Sequence, residues 1–138
     1  MSLNSIRKDI FSYFQTNWTE TAIVFQGQDA GDDLLNGANP WIYLYLLFDK
    51  KTSQESLGKN NVKFVRNGTT AIKLYVRKED GDSVLFDMAD SLENLFRNKK
   101  INNIQFVSPG TTIFKNPPPG WIGASVSCFF GADTHHDI

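Results

Sequence analysis

The sequence contains few of the side chains from which enzyme active sites and metal sites are usually built. It has one cysteine, Cys128, and two adjacent histidines close to its C-terminal end, His135 and His136. A single thiol excludes an internal disulfide and a cysteine-based zinc site. Hydrolases and transferases commonly need a histidine, a cysteine or a perturbed carboxylate as base. We therefore expect a non-enzymatic protein and predict no catalytic residues, no cofactor and no metal.

An excess of charge of one sign and long apolar runs are also lacking. Lys and Arg total 14 and Asp and Glu total 15, so the formal net charge is -1. Such a balance creates no overall field that would attract nucleic acid or an anionic membrane. No stretch approaches the roughly 18 apolar residues of a membrane span, and the first residues lack the apolar core of a secretion signal. We expect a protein made in a cytoplasm, with no membrane partner and no sequence-specific binding of nucleic acid.

Nucleotide and calcium motifs are absent as well. Gly58-Lys59 lacks the upstream glycine and the following Ser or Thr of a phosphate-binding loop. Asp29, Asp32 and Asp33 form an acidic cluster, but the twelve-residue calcium pattern and its terminal glutamate are missing. The cluster is therefore interpreted as part of a solvated loop over residues 29–39.

What the sequence does contain is enough apolar material for one core. Of its 138 residues, 41% are hydrophobic and 13% aromatic, which is sufficient to offset the entropy lost when a chain of this length folds. We predict a single domain over residues 1–138 that ends in a short polar tail, residues 132–138.

Two segments have the spacing of amphipathic helices. Apolar side chains recur at intervals of three or four residues, with polar residues between them, which places them on one face of a helix. The sequence predicts a first helix that is capped by Asn4 or Ser5, and a second helix that ends near residue 96. The apolar positions are Ile6, Ile10, Phe14 and Trp18 in the first helix, and Leu85, Met88, Leu92, Leu95 and Phe96 in the second.

Residues 41–48 alternate in the manner of a strand. One side carries aliphatic residues and Phe48, and the other carries Trp41, Tyr43, Tyr45 and Leu47. Aromatic rings with polar tips suit a half-hydrated contact with another protein. The alternative is a sheet that its own helices cover on both faces.

Five further segments are predicted strands: residues 21–28, 62–66, 69–76, 103–108 and 121–131. Asn67-Gly68 separates the second and third of these, and this dipeptide favours the type I′ turn of a hairpin. In the strand after that turn, Tyr75 faces away from the core. The predicted fold is α+β in the order α-β-β-β-β-α-β-β, with one twisted, mostly antiparallel sheet and two helices packed on it.

In this order, the segments resemble the tail terminator family of tailed bacteriophages over most of the chain. Each motif is common by itself, and the resemblance lies in their sequence and spacing. The segments are the helix at 5–18, the strand at 22–28, Trp41-Ile42-Tyr43, Ser56-Leu57-Gly58, Arg66-Asn67-Gly68, Met88-Ala89-Asp90, Leu95-Phe96, the strand at 103–109, and a final strand that begins at Trp121 and closes in residues 129–133. The run Pro117-Pro118-Pro119 has no place in the resemblance.

The resemblance implies a virion protein of the tail or neck. It would form a homohexameric ring on the last ring of tail tube protein, stop polymerisation of the tube and present a surface to neck or head-completion proteins, while DNA passes through the ring. A ring needs one patch to meet a different patch on the next copy. The candidate interface residues are Trp41, Tyr43, Tyr45, Tyr75, Arg66, Asp29, Asp32 and Asp33.

Two long polar segments are candidates for contact with other virion proteins. Residues 29–39 and 50–61 are predicted loops that dock the ring to tube or neck, because long loops on a rigid sheet commonly carry function.

Two alternative functions are compatible with the sequence. One alternative is another neck or head–tail adaptor protein. The other is a small-molecule-binding α+β domain, in which the aromatic side chains of the sheet would line a cavity.

Overall fold

The computed structural model describes residues 2–50, 53–56 and 61–137 of the chain. Three α-helices are present in the described residues: α1 (Leu3–Asn17), α2 (Asp32–Leu35) and α3 (Asp82–Phe96). The N-cap of α1 is Ser2, whose hydroxyl accepts a hydrogen bond from the Ser5 amide at 3.1 Å. The predicted cap at Asn4 or Ser5 is therefore wrong, and the helix begins about one turn earlier.

Seven strands of the described residues form one sheet in the order β1-β2-β4-β7-β6-β5, with β3 also paired to β4. Among these strands β1 and β2 pair parallel, and the other pairs are antiparallel. The α+β class and the mostly antiparallel sheet are thus confirmed. The strands are β1 (Ala22–Phe25), β2 (Trp41–Phe48), β3 (Ser53–Ser56), β4 (Asn61–Arg77), β5 (Lys100–Ile101), β6 (Ile104–Ile113) and β7 (Trp121–Asp137).

The predicted hairpin at Asn67-Gly68 is wrong. Residues 61–77 form one continuous strand, β4, which pairs with β7 along its whole length. A Cβ built on Gly68 would lie 2.5 Å from the Leu47 carbonyl oxygen and 2.6 Å from the Phe130 ring. Gly68 is therefore required for close packing inside a strand and not for a turn, and pairing with β7 overrides the local preference of the dipeptide.

The predicted polar tail at residues 132–138 is also wrong. β7 continues to Asp137, and its last residue pairs with Asn61 at the start of β4. His135 and His136 lie within this paired segment. The backbone hydrogen bonds of the ladder hold the segment, although its polar composition gives no strand signal.

Helices α1 and α3 pack side by side on one face of the sheet, which we call the inner face. The Phe14 and Phe96 rings lie 5.2 Å apart, and the Tyr13 hydroxyl donates to the Leu95 carbonyl at 2.6 Å. Both predicted amphipathic faces are buried here. The largest fully buried side chains of this core are Phe14, Phe96, Phe106, Ile6, Ile10, Ile42, Leu44, Ile72, Leu74, Leu85, Leu92 and Ile104.

The structure predicts that two glycine-to-alanine substitutions in strands differ in their effect on the free energy of unfolding. Gly68→Ala should lower the free energy of unfolding by about 1–3 kcal/mol, because the added methyl group meets backbone and a buried ring. Gly110→Ala, in β6, is the matched control: its Cβ would meet nothing within 4 Å. Urea denaturation of both variants tests this; equal stability would show that Gly68 is not tightly packed.

Candidate functional site

The outer face of the sheet, opposite α1 and α3, carries the strand positions that point away from the core. In β2 these are Trp41, Tyr43, Tyr45 and Leu47, which the sequence assigns to one side. No long helix covers this face in the described part of the chain. Its two ends differ in character: one is covered by connecting segments, and the other is exposed.

At the covered end, aromatic rings from three strands pack together. Trp41 stacks on Tyr75 with ring centroids 4.6 Å apart and planes 26° from parallel. Trp41 and Trp121 are buried with Val24 in a second small core. Trp41 is only 7% exposed, so it is a core residue of this end and not the half-hydrated contact that its position in β2 suggests.

Arg77 fastens the connection between β1 and β2 onto this end. Its Nε donates to the Gly37 carbonyl at 2.8 Å, and its guanidinium lies 4.0 Å from the centre of the Trp121 ring. The connection includes α2, a helix that the sequence analysis interprets as loop; Leu34 packs against the second core. The guanidinium thus joins three segments that are distant in sequence.

A pocket of about 320 Å³ opens between the covering segments and the aromatic rings. Its wall includes Trp41, whose indole Nε1 is buried and has no hydrogen-bond partner among the described residues. Unpaired buried donors of this kind are uncommon in folded proteins. The lining residues are Leu35, Trp41, Tyr75, Pro118, Pro119 and Trp121.

Half-buried tyrosines occupy the middle of the outer face. The rings of Tyr43 and Tyr45 are 5.6 Å apart, and the Lys73 ammonium lies 5.8 Å from the centre of the Tyr45 ring. Burial raises the pKa of Tyr75, and the neighbouring Tyr45 raises it further. The Tyr75 hydroxyl therefore stays neutral at physiological pH and can donate a hydrogen bond.

At the exposed end, apolar side chains of three strands lie in one row. Leu47 of β2 is opposite Thr69 of β4. On the other side of β4, Thr69 is opposite Phe129 of β7, and Phe129 is in turn opposite Val107 of β6. Leu47 is 56% exposed, Phe129 61% and Val107 49%. We call Leu47, Phe129 and Val107 the apolar row. Phe129 and Val107 are direct lateral neighbours, and Thr69 lies between Phe129 and Leu47 in the same row.

The other predicted site residues lie elsewhere. Arg66 pairs with Ala132, a residue of the inner-face core, so its side chain points to the side opposite the tyrosines. Asp29, Asp32 and Asp33 are exposed on the connection that covers the aromatic end. The structure therefore brings Trp41, Tyr43, Tyr45 and Tyr75 together and leaves Arg66 apart from them.

Sequence reasoning missed Phe129, Val107 and Trp121 as residues of this face. The alternation of β7 from Trp121 onward carried the signal, because every second residue shares a side with Phe129. Their grouping depends on strand register, which this alternation does not reveal. Two predicted segments, Ser56-Leu57-Gly58 and residues 50–61, are described only in part. Residues 51–52 and 57–60 lie outside the described residues. Ser53–Ser56 form β3.

No helix in the described ranges is long and apolar enough to cross a membrane. Among the same residues, no group of three or more His, Cys, Asp or Glu side chains is arranged to hold a metal ion.

Comparison with known proteins gives the fold and no function. No family model matches the sequence, and no curated protein matches it. One solved structure is similar over 91% of this chain and 94% of its own length, with a TM-score of 0.62 and 10% sequence identity. Its name describes no activity or partner. A likeness at this identity shows that the α+β architecture occurs in another protein, and no more.

Cys128 lies beneath the apolar row and should be chemically inert. Burial raises the pKa of its thiol from 9.0 to about 11, so near pH 8 the thiolate fraction is about a hundredfold lower than in the unfolded chain. We expect Ellman's reagent to react at least about a hundredfold more slowly with the native protein than in urea. Equal rates would show that the thiol is accessible.

The same pKa shift predicts alkaline lability. Between pH 9.0 and about 11 the unfolded thiol has lost its proton while the folded thiol keeps it, so the free energy of unfolding falls as the pH rises through this range. The raised pKa values of Tyr13 and Tyr75 act in the same direction. In thermal melts, Cys128→Ala should show a weaker loss of stability over this range than the wild type.

Proposed function

We propose that this protein is a tail terminator of a tailed bacteriophage. It closes into a homohexameric ring that caps the tail tube and joins the tail to neck or head-completion proteins. The resemblance in segment order supports this, and so does the outer face, which a packed monomer leaves uncovered. Its place is the virion, in the tail or neck, and its activity is structural.

The apolar row is the observation that carries the proposal. Leu47, Phe129 and Val107 are each about half exposed and lie in one row across the sheet, in which Thr69 alone separates Leu47 from Phe129. An apolar patch on a protein surface commonly marks an interface. Tyr43 and Tyr45 extend the patch toward the middle of the face. Tyrosines and phenylalanines are enriched in protein interfaces because they bury large areas and lose few rotamers.

The size of the row explains why a closed ring suits it better than a simple pair. Covering the exposed half of each of three side chains contributes on the order of 1 kcal/mol apiece, whereas association costs roughly 4–15 kcal/mol. One such contact is weak. In a closed ring every subunit uses two interfaces, so the last subunit to join makes two contacts for the cost of one association, which stabilises the whole assembly.

The ring contact is expected to use side chains of the outer face and not strand edges. β6 extends beyond the two-residue strand β5, but it contains a bulge between Val107 and Gly110. Ser108 there has a φ of 55°, and Pro109 has no amide hydrogen to donate. A bulged edge with a proline discourages pairing with another strand.

The acidic connection between β1 and β2 is the proposed contact with tube or neck. Asp29, Asp32 and Asp33 are exposed on it, and Arg77 holds the connection to the sheet. A charged surface on a fixed segment is suited to orient a partner during docking. Residues 50–61 are the second proposed docking segment.

Two alternatives stay open as proposals. Another neck or head–tail adaptor protein would form a ring by the same logic, and the outer face suits it equally. A ligand-binding domain is favoured by a different observation, the apolar aromatic pocket at the covered end of the outer face.

The purified protein is expected to form hexamers. Light scattering after size exclusion should give a mass of about 94 kDa, which is six times the 15.6 kDa of one chain, and negative-stain images should show six-fold rings. A mass that stays at that of a single chain, 15.6 kDa, even after addition of tail tube protein, would rule out the ring.

Phe129→Ser should abolish or strongly weaken ring formation while leaving the fold intact, because the side chain is exposed and contributes to the apolar row. The matched control is Phe86→Ser, since Phe86 is 49% exposed but lies on α3, in the helix layer. Equal ring yields from both variants, measured by analytical ultracentrifugation, would show that the row is not the interface.

Replacement of Asp32 and Asp33 by lysine should leave rings intact and weaken their attachment to tail tubes, because it reverses the exposed charge of the connection. Tail length in complementation of a terminator-defective phage is the readout. Rings and tails of normal length would exclude the acidic connection as a docking site.

A further inference from the structure

The aromatic pocket at the covered end of the outer face is separate from the apolar row. Trp41 and Leu47 are six residues apart along β2, which corresponds to about 20 Å at the rise of a strand. Ring formation as proposed makes no use of the pocket. Its chemistry therefore has to be explained by something else.

The walls of the pocket are apolar and already in place. Two indole rings, one phenol ring, two prolines and one leucine line it. Hydrogen bonds hold the C-terminal end of the proline segment: the Trp121 amide donates to the Pro118 carbonyl at 3.0 Å, and the Lys78 amide donates to the Gly120 carbonyl at 3.0 Å. A site that needs little ordering keeps more of its contact energy for binding.

The indole N–H of Trp41 does not open onto the pocket. It is buried and has no acceptor within the described residues, whereas the indole N–H of Trp18 donates to the Thr21 hydroxyl at 2.8 Å. Because its nitrogen has almost no accessible surface, a ligand in the pocket contacts the apolar parts of the rings and not this donor.

The charge around the pocket argues against a small cation as the ligand. The Arg77 guanidinium already lies over the Trp121 ring at 4.0 Å, so a second cation on that ring would be repelled. A proline ring is neutral and packs on aromatic faces, and a polyproline II segment has backbone carbonyls that are free to accept hydrogen bonds. Grooves lined by aromatic residues recognise such segments in several domain families.

The acidic residues beside the pocket indicate what flanks the prolines. Leu35 of the wall belongs to α2, and Asp32 and Asp33 of the same helix are exposed. Neither aspartate forms an ion pair in the part of the chain that the structure describes. Lysine or arginine residues next to the prolines would complement this charge at the pocket rim.

We propose that this pocket binds a proline-rich, basic segment of a partner protein in the polyproline II conformation. The proline rings pack against the apolar walls of the pocket, where Leu35 and Tyr75 contribute contact surface, and basic side chains face α2. The site does not depend on the ring-forming function proposed above.

Nuclear magnetic resonance of the three indole N–H groups tests the proposal directly. A synthetic proline-rich peptide with lysines at both ends should shift the Trp41 and Trp121 resonances and leave that of Trp18 in place, because Trp18 packs in the inner-face core. Absence of any shift at millimolar peptide would overturn the proposal.

Three control ligands define the specificity. The same peptide with alanines in place of prolines should bind at least about tenfold more weakly, and glutamates in place of the lysines should have an effect in the same direction. Choline should produce no shift of Trp121. Binding of choline or of the alanine peptide with equal affinity would contradict the assignment of a proline-rich ligand.

Exposed wall residues provide variants that should fold normally. Leu35→Ala combined with Pro119→Ala should weaken peptide binding about tenfold, and Asp32→Asn with Asp33→Asn should weaken it several-fold at low salt. Ile113→Ala is the control, since Ile113 is exposed but lies outside the pocket. Unchanged affinity in both double variants would refute the site.

The ring variant separates this proposal from the proposed function. Phe129→Ser should bind the peptide with wild-type affinity whether or not rings form, because Phe129 lies in the apolar row. Loss of peptide binding in that variant would contradict an independent site. Retained binding together with failed ring assembly of the wild type would overturn only the tail terminator function.

Discussion

The pairing of β4 with β7 is the interaction on which the rest of the molecule depends. The two strands run antiparallel from Asn61 to Arg77 and from Trp121 to Asp137, in the centre of the sheet. Every other strand except β1 and β5 pairs with one of them. A ladder of this length fixes register along its whole course, since a slip by one residue would turn core side chains outward. It therefore decides at once which residues form the core and which form the outer face.

The two faces of this ladder have different surroundings. Ile72 and Val126 pair on the inner face, which α1 and α3 cover, and that side provides most of the apolar burial that stabilises the fold. Among the described residues, one end of the outer face is covered, by the proline segment and by a connection that Arg77 holds in place. The uncovered remainder leaves the apolar row for an assembly contact, and the covered end leaves an aromatic pocket. One sheet face thus offers two different surfaces for partners.

Local patterns were sufficient where burial follows a simple period. The alternation of β2 and the spacing of α1 and α3 were recognisable because each element buries one side, and burial imposes a period of two or of about 3.6 residues. They failed where distant segments compete with local preference. Asn67-Gly68 has the composition of a turn, yet it lies within β4 because β7 offers continuous pairing and the Phe130 ring needs the space left by Gly68.

By itself, the sequence determined the α+β class, the two long helices and the aromatic side of β2, because these follow from the hydrophobic period of single segments. Only the tertiary structure decided that Leu47, Phe129 and Val107 form one row, and that Trp41 is buried beside a pocket and not exposed. The reason is that such groupings depend on the register between strands far apart in the chain. Register is set by the collective pairing of the sheet, and no local pattern carries it.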